Sequence, residues 1–418
     1  MRFDTLDGWL DWQQQLNPRA IELGLERVSE VWQRLGAPAI AGRVITVAGT
    51  NGKGSTVAAY ETWMRAHGLR CGSYTSPHIL RYNERIRIDG VPVSDERLIE
   101  AFDAIDSARG DIPLTYFEFG TLAALWLCAA ESLDFGLLEV GLGGRLDAVN
   151  IIDADLAHIT PIGLDHQAWL GDDRETIGGE KAGILRAGGL AVYNDPRPVD
   201  RILQRCEALG CDLRLAGRDY QNRMDDDLLH WQGRRLSCSL RSPLTGAHQA
   251  WNLGGVLAGL EALGLLYEAS DCHGFESLSN PGRLQRIDGL PFRLWVDVGH
   301  NTDAARAIAA FLEGSKAGRR VLLLGMLEDK DPRGFVEALG DTVDAVWLLD
   351  LEGARGLGSD ALAERLGRPG ATPRFGNARA ALDHALSTLG NQDILLAAGS
   401  FLTVEAVLRA LNGTQPSD

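Results

Sequence analysis

Hydrophobic positions recur along the chain with two spacings, and their alternation predicts an α/β protein. Short apolar runs at 44–48, which is rich in β-branched residues, and at 135–141 and 154–160 are typical of buried strands. Segments with apolar residues three or four positions apart, such as 57–64 and 176–185, are typical of helices that pack on a sheet. Residues 1–40 are also predicted to be helical, with a break at Asn17-Pro18.

The C-terminal part of the chain repeats this alternation on a smaller scale. Strands are predicted at 292–298, 320–325, 345–350 and 393–398. Helices fit between them, which predicts a second, smaller α/β domain.

The first predicted strand runs directly into the segment Gly49-Thr50-Asn51-Gly52-Lys53-Gly54-Ser55-Thr56. Strand, glycine turn and helix is the layout of a phosphate-binding loop, in which backbone N–H groups and the helix N-terminus attract phosphate oxygens. Lys53 would reach the β- and γ-phosphates, and the hydroxyl of Ser55 or Thr56 would face Mg²⁺.

The spelling of this loop departs from the general pattern, which places four residues between its two glycines. Here only Thr50 and Asn51 separate Gly49 from Gly52. An ordinary glycine turn between a strand and a helix is the alternative interpretation. The lysine, the two hydroxyls and the flanking elements together favour phosphate binding.

The composition of the chain limits the kinds of ligand or macromolecule that it is expected to bind. The chain has 418 residues and a net charge of −16, from 41 basic and 57 acidic side chains. This charge argues against nucleic-acid binding and against an anionic membrane surface, so an anionic ligand must be held by a local positive site. Six cysteines form no C-x-x-C pair, and the N-terminus has no apolar signal segment, which favours reduced thiols in the cytoplasm.

Polar residues follow several predicted strands on the edge where α/β proteins bind ligands. Glu139 ends one buried strand, and a carboxylate there suits Mg²⁺, which prefers hard oxygen ligands. His166 follows the next strand, although an isolated histidine is more often structural. Lys181 lies among small and apolar neighbours, and the alternative for it is a solvated lysine on a helix.

Several of these strings together resemble a known family. Gly-Thr-Asn-Gly-Lys-Gly-Ser at 49–55, Gly-Leu-Gly-Gly-Arg-Leu-Asp-Ala at 141–148, Leu-Asp-His at 164–166 and Glu-Lys-Ala-Gly-Ile at 180–184 resemble the Mur ligase superfamily. The spelling is most similar to its folylpolyglutamate synthase/dihydrofolate synthase branch. Those enzymes use ATP to join an amino acid to a carboxylate through an acyl phosphate. The resemblance extends from about residue 21 to about residue 405, and the order of the motifs carries it.

The resemblance implies a set of site residues. It implies that ATP is bound by Gly49, Thr50, Asn51, Gly52, Lys53, Gly54, Ser55, Thr56, Asn252, Arg283, Asp297 and His300. It implies Mg²⁺, expected as two ions, at Ser55, Ser76, Glu139, His166 and Lys181. It implies that the pterin-bearing substrate is bound by Glu22, Leu23, Gly24, Leu25, Thr115, Tyr116, Phe117, Glu118, Leu146, Asp147 and Ala148. The catalytic residues would be Lys53, His166 and Lys181.

Some of these residues also have plain structural interpretations. Taken alone, the segment 21–28 reads as a helix start. Thr115 is a plausible N-cap with Glu118 as its capping-box partner, so 115–119 reads equally as a helix start with core aromatic residues.

For Lys181, a bare ammonium beside Mg²⁺ would be repelled, and a CO₂-derived carbamate on its amine would replace the positive charge with an anionic oxygen donor.

The sequence therefore predicts a P-loop mononucleotide-binding domain with a mostly parallel sheet and a smaller, C-terminal Rossmann-like α/β domain. The boundary is expected in the turn-rich segment 279–283, giving an ATP- and pteroate-binding domain at 1–282 and a Mur-ligase-type domain at 283–418.

The predicted function is ATP-dependent addition of L-glutamate to dihydropteroate and to reduced folates. The expected protein is a cytoplasmic monomer that binds neither nucleic acid nor membranes. Alternatives within the superfamily are a monofunctional folylpolyglutamate synthase and another Mur-type or cyanophycin-type ligase. Alternatives from other classes are a P-loop kinase or regulatory NTPase, and a nucleotide-binding interaction protein without catalysis.

Overall fold

Two mostly parallel sheets, each with its own hydrophobic core, organise the chain. The computed structural model describes residues 2–17, 22–353, 355–368 and 372–413. The chain divides into two units: the first comprises residues 1–163, 167–243 and 249–278, and the second comprises 164–166, 244–248 and 279–418.

The large sheet of the first unit has the strand order β4-β3-β2-β5-β1-β6-β7-β8. Its strands are β1 (Arg43–Ala48), β2 (Cys71–Tyr74), β3 (Ile86–Ile88), β4 (Val91–Pro92), β5 (Phe135–Glu139), β6 (Leu156–Ile159), β7 (Leu190–Tyr193) and β8 (Asp212–Leu215). Neighbouring strands pair in parallel along the series β2, β5, β1, β6, β7 and β8. At one edge of the sheet, β3 pairs antiparallel with β2, and β4 pairs antiparallel with β3. A small antiparallel sheet follows, with β9 (Gln221–Asp225), β10 (Leu228–Gln232) and β11 (Ser237–Arg241).

Helices connect these strands. They are α1 (Leu6–Leu16), α2 (Glu26–Arg34), α3 (Lys53–Ala66), α4 (Asp95–Arg109), α5 (Tyr116–Ala129), α6 (Gln167–Leu170), α7 (Arg174–Lys181), α8 (Asp200–Leu209) and α9 (Gln249–Ala262). Helix α3 packs beside α9, and α1, α2 and α5 pack against α4. The apolar faces of these helices explain why the strands between them read as continuous hydrophobic runs.

The strand order locates the ligand edge of the large sheet. After β1 the chain crosses to β2 on one side, and after β6 it crosses to β7 on the other side. The connections therefore diverge between β1 and β6, and such a point leaves a crevice at the carboxyl ends of the strands. The glycine turn after β1 and the segment after β6 meet at this crevice.

The second unit contains a six-stranded sheet in the order β12-β13-β17-β14-β15-β16. Its strands are β12 (Gln285–Ile287), β13 (Arg293–Asp297), β14 (Arg320–Leu324), β15 (Ala345–Leu349), β16 (Arg374–Phe375) and β17 (Ile394–Ala398). Only the edge strand β12 pairs antiparallel. The helices are α10 (Thr302–Gly314), α11 (Pro332–Leu339), α12 (Ser359–Arg365), α13 (Ala378–Thr388) and α14 (Phe401–Asn412). The predicted fold class is confirmed.

Most predicted elements are present, and the differences arise at helix ends. Two helices, α1 and α2, lie within the described part of residues 1–40, on either side of the predicted break, and Pro18 itself lies outside the described residues. Helix α3 begins at Lys53, earlier than the periodic run at 57–64, because Gly52 adopts a left-handed N-cap conformation at φ +91°. The helix predicted at 176–185 ends at Lys181 and tightens into a 3₁₀ turn at 182–184.

Two further observations concern the whole chain. All six cysteines are free thiols, and four of them are buried. Among the described residues, no helix combines the length and the apolar character needed to cross a membrane.

Candidate functional site

The turn after β1 together with the first residue of α3, residues 49–53, is here called the nucleotide loop, after the role proposed for it below. Strand β1 is buried at five of its six positions and delivers the loop to the crevice. A Cβ on Gly49 would lie 1.7 Å from Thr160 Oγ1, and a Cβ on Gly52 would lie 2.5 Å from Asn252 Oδ1. Only glycine fits at these two positions. Asn252, in the first turn of α9, therefore lies against the loop.

Lys53 folds back over this loop. Its Nζ donates hydrogen bonds to the carbonyls of Gly49 at 3.2 Å and Thr50 at 3.3 Å. In the first turn of α3, Ser55 and Thr56 are buried, and the Thr56 Oγ1 has no hydrogen-bond partner among the described residues. A glycine cradle, a cation and an unmet hydroxyl at a helix N-terminus together fit a phosphate-bearing ligand.

Glu139 and Ser76 are brought together beside the loop. Glu139 ends β5, next to β1, and its carboxylate is 3% exposed. It accepts a hydrogen bond from the Ser76 backbone N–H at 3.2 Å. A buried carboxylate next to hydroxyls is a donor set that Mg²⁺ prefers. Among the described residues, no group of three or more His, Cys, Asp and Glu side chains is placed to hold a metal ion.

The glycine-rich segment 141–148 lies against the C-terminal end of α7, which carries Lys181. Lys181 is 5% exposed. A Cβ on Gly144 would lie 2.9 Å from the Lys181 Cα, and the Arg145 N–H donates to the Glu180 carbonyl at 2.9 Å. The structure therefore places Lys181 next to the segment that contains Leu146, Asp147 and Ala148.

Asp147 is the buried carboxylate of this segment. It accepts backbone N–H bonds from Leu142 at 2.8 Å and from Val149 at 3.1 Å. Burial raises the pKa of Asp147 to about 6, and these N–H bonds and the charge of Lys53 limit the rise. Its neighbours Leu146 and Ala148 are half-buried and buried respectively.

Two of the three segments predicted to border the pterin-bearing substrate, 22–25 and 115–118, are joined by an arginine that the sequence analysis missed. Thr115 and Glu118 form the predicted capping box of α5. Arg27 pairs with Glu118 at 2.9 Å and with Glu22 at 3.1 Å. Leu23, Gly24 and Leu25 are half-buried beside this pairing, whereas Ile21 lies outside the described residues.

The aromatic residues of this region face the glycine-rich segment and β2. A Cβ on Gly141 would lie 2.5 Å from the Phe117 Cζ, so the ring covers that glycine. Phe117 also contacts Tyr74, with ring centroids 5.9 Å apart, and the Arg85 guanidinium lies 5.5 Å from the Tyr116 ring centroid.

The second unit contains its own charged cluster, formed by Asp165, His300 and Lys330. Asp165 accepts from Lys330 Nζ at 2.6 Å and pairs with His300 Nε2 at 3.1 Å. Burial raises the pKa of Asp165, but the bond from His300 and the charge of Lys330 outweigh burial and hold that pKa well below its usual range. The carboxylate is therefore ionised and fixed.

The second unit contains three other predicted site residues, which are His166, Asp297 and Arg283. His166, at φ +53°, donates its backbone N–H to Asp165 Oδ1 at 2.8 Å. Asp297 ends β13 and accepts N–H bonds from Leu284 at 2.8 Å and Gly299 at 2.7 Å, and withdrawal from water raises its pKa. Arg283 is half-buried just before β12.

Lys330 and Arg27 are candidate residues that the sequence analysis missed. Lys330 is 7% exposed and follows the carboxyl end of β14, the edge where ligand residues concentrate. The position of Lys330 after a predicted strand could therefore have identified it as a candidate from the sequence. Arg27 lies inside the segment 21–28, but its pairing with Glu118 joins residues 91 positions apart, which no local pattern reveals.

Comparisons with known proteins bear on the whole chain. Residues 282–401 match the Mur ligase, glutamate ligase domain family. The chain is 41% identical to a dihydrofolate synthase/folylpolyglutamate synthase of Escherichia coli, over 97% of this chain and 96% of the relative. It is similar to E. coli FolC in complex with DHPP and ADP, with a TM-score of 0.93, 39% identity and 99% of each chain covered.

A further solved structure is also similar. It is a bifunctional folylpolyglutamate synthase/dihydrofolate synthase with Mn, AMPPNP and L-glutamate bound, with a TM-score of 0.90, 40% identity and 99% of each chain covered. The resemblance seen in the motifs is confirmed by identity over nearly the whole length. The chain belongs to the dihydrofolate synthase/folylpolyglutamate synthase family.

Proposed function

We propose that this protein is an ATP-dependent ligase that adds L-glutamate to dihydropteroate and to reduced folates. The observation that carries the proposal is the nucleotide loop, where Gly49 and Gly52 leave no room for a side chain and Lys53 covers the loop. Relatives of the same family that were solved with ADP or AMPPNP support nucleotide binding by this chain.

The proposed reaction has two steps. The carboxylate of the pteroate or folate attacks the γ-phosphate of ATP, which forms an acyl phosphate and releases ADP. The amine of glutamate then attacks the acyl carbon, which forms the amide and releases phosphate. The protein mainly aligns the reactants and neutralises charge, as in other phosphoryl transfers.

Lys53 would offset the negative charge of the β- and γ-phosphates, and the backbone N–H groups of residues 49–54 would hold their oxygens. Asn252 would contact the nucleotide from the other face of Gly52. Arg283, Asp297 and His300 of the second unit complete the proposed ATP set. Lys330, bonded to Asp165, adds a buried cation to that unit.

The proposed Mg²⁺ ligands, direct or through water, are Ser55, Ser76, Glu139, His166 and Lys181. Mg²⁺ held by these residues would supply positive charge that offsets the negative charge developing during phosphoryl transfer. The buried Glu139 carboxylate at Ser76 supports this assignment. The proposal includes two ions and a CO₂-derived carbamate on Lys181, and the burial of that lysine supports the carbamate because desolvation favours the neutral amine that must react.

The proposed site for the pterin-bearing substrate joins residues 22–25, 115–118 and 146–148. Support comes from Arg27, which holds Glu22 and Glu118 together, and from Phe117, which covers Gly141. We further propose domains at 1–282 and 283–418, a monomeric state and a cytoplasmic location. Free cysteines support a reducing compartment.

The test is ADP release by the purified protein with Mg²⁺, ATP and glutamate, first with dihydropteroate and then with a reduced folate. Release that needs glutamate and occurs with either acceptor is the expected result. Release with the folate alone indicates a monofunctional folylpolyglutamate synthase. ADP release without any acceptor indicates an NTPase, and nucleotide binding without turnover under all conditions indicates an interaction protein; either result overturns the proposal.

A further inference from the structure

Residues 161–163, the short backbone segment after β6, lie between the nucleotide loop and a buried ion pair. On the side of the loop, the Thr50 N–H donates to the Pro161 carbonyl at 3.0 Å. The Thr50 hydroxyl accepts from the Gly163 N–H at 3.0 Å and donates to the Gly163 carbonyl at 3.2 Å. This segment is therefore the support against which the loop is held.

On the other side, Arg174 and Asp195 hold the residue in the middle of the segment. The Ile162 N–H donates to Asp195 Oδ2 at 2.8 Å, and Arg174 Nε donates to the Ile162 carbonyl at 2.9 Å. Arg174 Nη2 pairs with the same Asp195 oxygen at 2.8 Å. Both backbone polar groups of Ile162 are thus bonded to one ion pair.

The ion pair is itself fixed. Asp195 is 2% exposed and also accepts the Arg197 N–H at 2.8 Å, while Arg174 Nη2 donates to the Arg197 carbonyl at 2.6 Å. Asp195 follows β7 and Arg174 begins α7, so two separate elements converge on one residue. A guanidinium supplies several donors in a rigid fork, which a lysine at the same position cannot reproduce.

We infer that Arg174 and Asp195 are positioning residues for nucleotide binding: they fix residues 161–163, and these residues fix the nucleotide loop through Thr50. The inference rests on the proposed function only in taking residues 49–53 as the nucleotide site. Neither residue needs to touch the nucleotide. A shift of the loop by a fraction of an ångström is enough to weaken binding, because the loop acts through backbone N–H groups with little freedom to adjust.

The first unit contains a matched control. At the edge strand β8, Arg234 pairs with Asp219 at 2.8 Å and donates to the Leu213 carbonyl at 3.0 Å. Asp219 accepts the Leu215 N–H at 2.9 Å. The chemistry is the same, an ion pair bonded to strand backbone, but it holds the end of β8 rather than the support of the nucleotide loop.

The experiment is calorimetric titration of ADP into wild type, Arg174→Lys, Asp195→Asn and the controls Arg234→Lys and Asp219→Asn, with melting temperatures for all. We expect Kd for ADP to rise by about tenfold or more in the first two variants. In both controls we expect it to stay within about twofold. Measurements are made well below each melting temperature, so a loss of stability alone leaves Kd unchanged.

A double-variant cycle tests the route through Thr50. If Arg174 and Asp195 act through this residue, Thr50→Val and Asp195→Asn weaken ADP binding separately, and the double variant is no weaker than the worse single variant. Multiplying fold-changes would overturn the inference, as would wild-type Kd in both Asp195→Asn and Arg174→Lys. Failure of wild type to bind ADP would instead refute the proposed function, so the two failures are distinguishable.

Discussion

Lys53 is the residue on which the nucleotide loop depends most directly, since its ammonium bonds the carbonyls of Gly49 and Thr50 rather than the core. We expect Lys53→Ala to lower kcat by about 100-fold or more, because a preorganised cation at the transferred phosphate is lost. The melting temperature should stay near that of wild type. Lys316→Ala, at an exposed lysine of the second unit, is the control. Wild-type kcat in folded Lys53→Ala would contradict the assignment.

Lys181 offers a second test at the scale of one residue. If its amine carries a carbamate, labelled bicarbonate should give a carbamate signal in carbon NMR of wild type that Lys181→Ala lacks. Lys181→Ala should be nearly inactive, and a short carboxylic acid added to it should restore part of the activity by supplying the missing anionic oxygens. Full wild-type activity without a carbamate signal would show that Lys181 acts as an ordinary cation.

At the scale of elements, strand β6 carries a buried histidine that makes stability depend on pH. Tyr60 OH of α3 and His158 Nδ1 are 3.0 Å apart, and burial lowers the pKa of His158 to about 3. The unfolded chain binds this proton near pH 6.5. The contribution of neutral His158 is therefore present above pH 6.5 and is lost as pH falls from 6.5 towards 3.

Urea unfolding at pH 7 and pH 5 measures this effect. Wild type should lose about 2 kcal/mol more between these pH values than Tyr60→Phe/His158→Leu, which removes both partners of the hydrogen bond. Equal losses in the two proteins would mean that His158 is protonated in the folded state.

The N-terminal end of α5 gives a further prediction at this scale. Thr115 caps the helix by accepting the Glu118 N–H, while Glu118 also pairs with Arg27. Thr115→Ala should lower the free energy of unfolding by about 1 kcal/mol. Thr115→Ser, which keeps a hydroxyl at the N-cap, should retain most of the free energy of unfolding that Thr115→Ala loses.

A larger KM for dihydropteroate in Glu118→Gln, with KM for ATP unchanged, is expected if this end of α5 borders the substrate.

At the scale of the whole molecule, the chain forms two units with separate cores. The proposed ATP set draws on both, with residues 49–56 in the first and Arg283, Asp297 and His300 in the second. We therefore expect binding to bring the units together and to exclude water from the acyl phosphate. Small-angle scattering with AMPPNP and dihydropteroate should show a smaller radius of gyration than the free protein. An unchanged radius at saturation would count against closure.

Local sequence patterns correctly predicted the fold class and the family, and they also predicted the glycine turn that follows β1. Each of these features depends on residues that are close together in sequence. Apolar runs indicate buried strands, helical spacing indicates the helices between them, and the glycines around Lys53 indicate a turn with conformations that other residues rarely adopt. The capping box of Thr115 and Glu118 could also be predicted from the sequence, because its two residues are three positions apart.

The folded structure was needed to show which distant side chains bond the same residue or pair with each other. The pairing of Arg174 with Asp195 on Ile162, of Arg27 with Glu118, and of Lys330 with Asp165 joins residues from 21 to 165 positions apart. These meetings depend on how separate elements pack in the folded chain: Arg27 and Glu118 lie on the helices α2 and α5, and Lys330 follows β14. Local periodicity contains no information about which elements pack together, so these three ion pairs could not be predicted from the sequence.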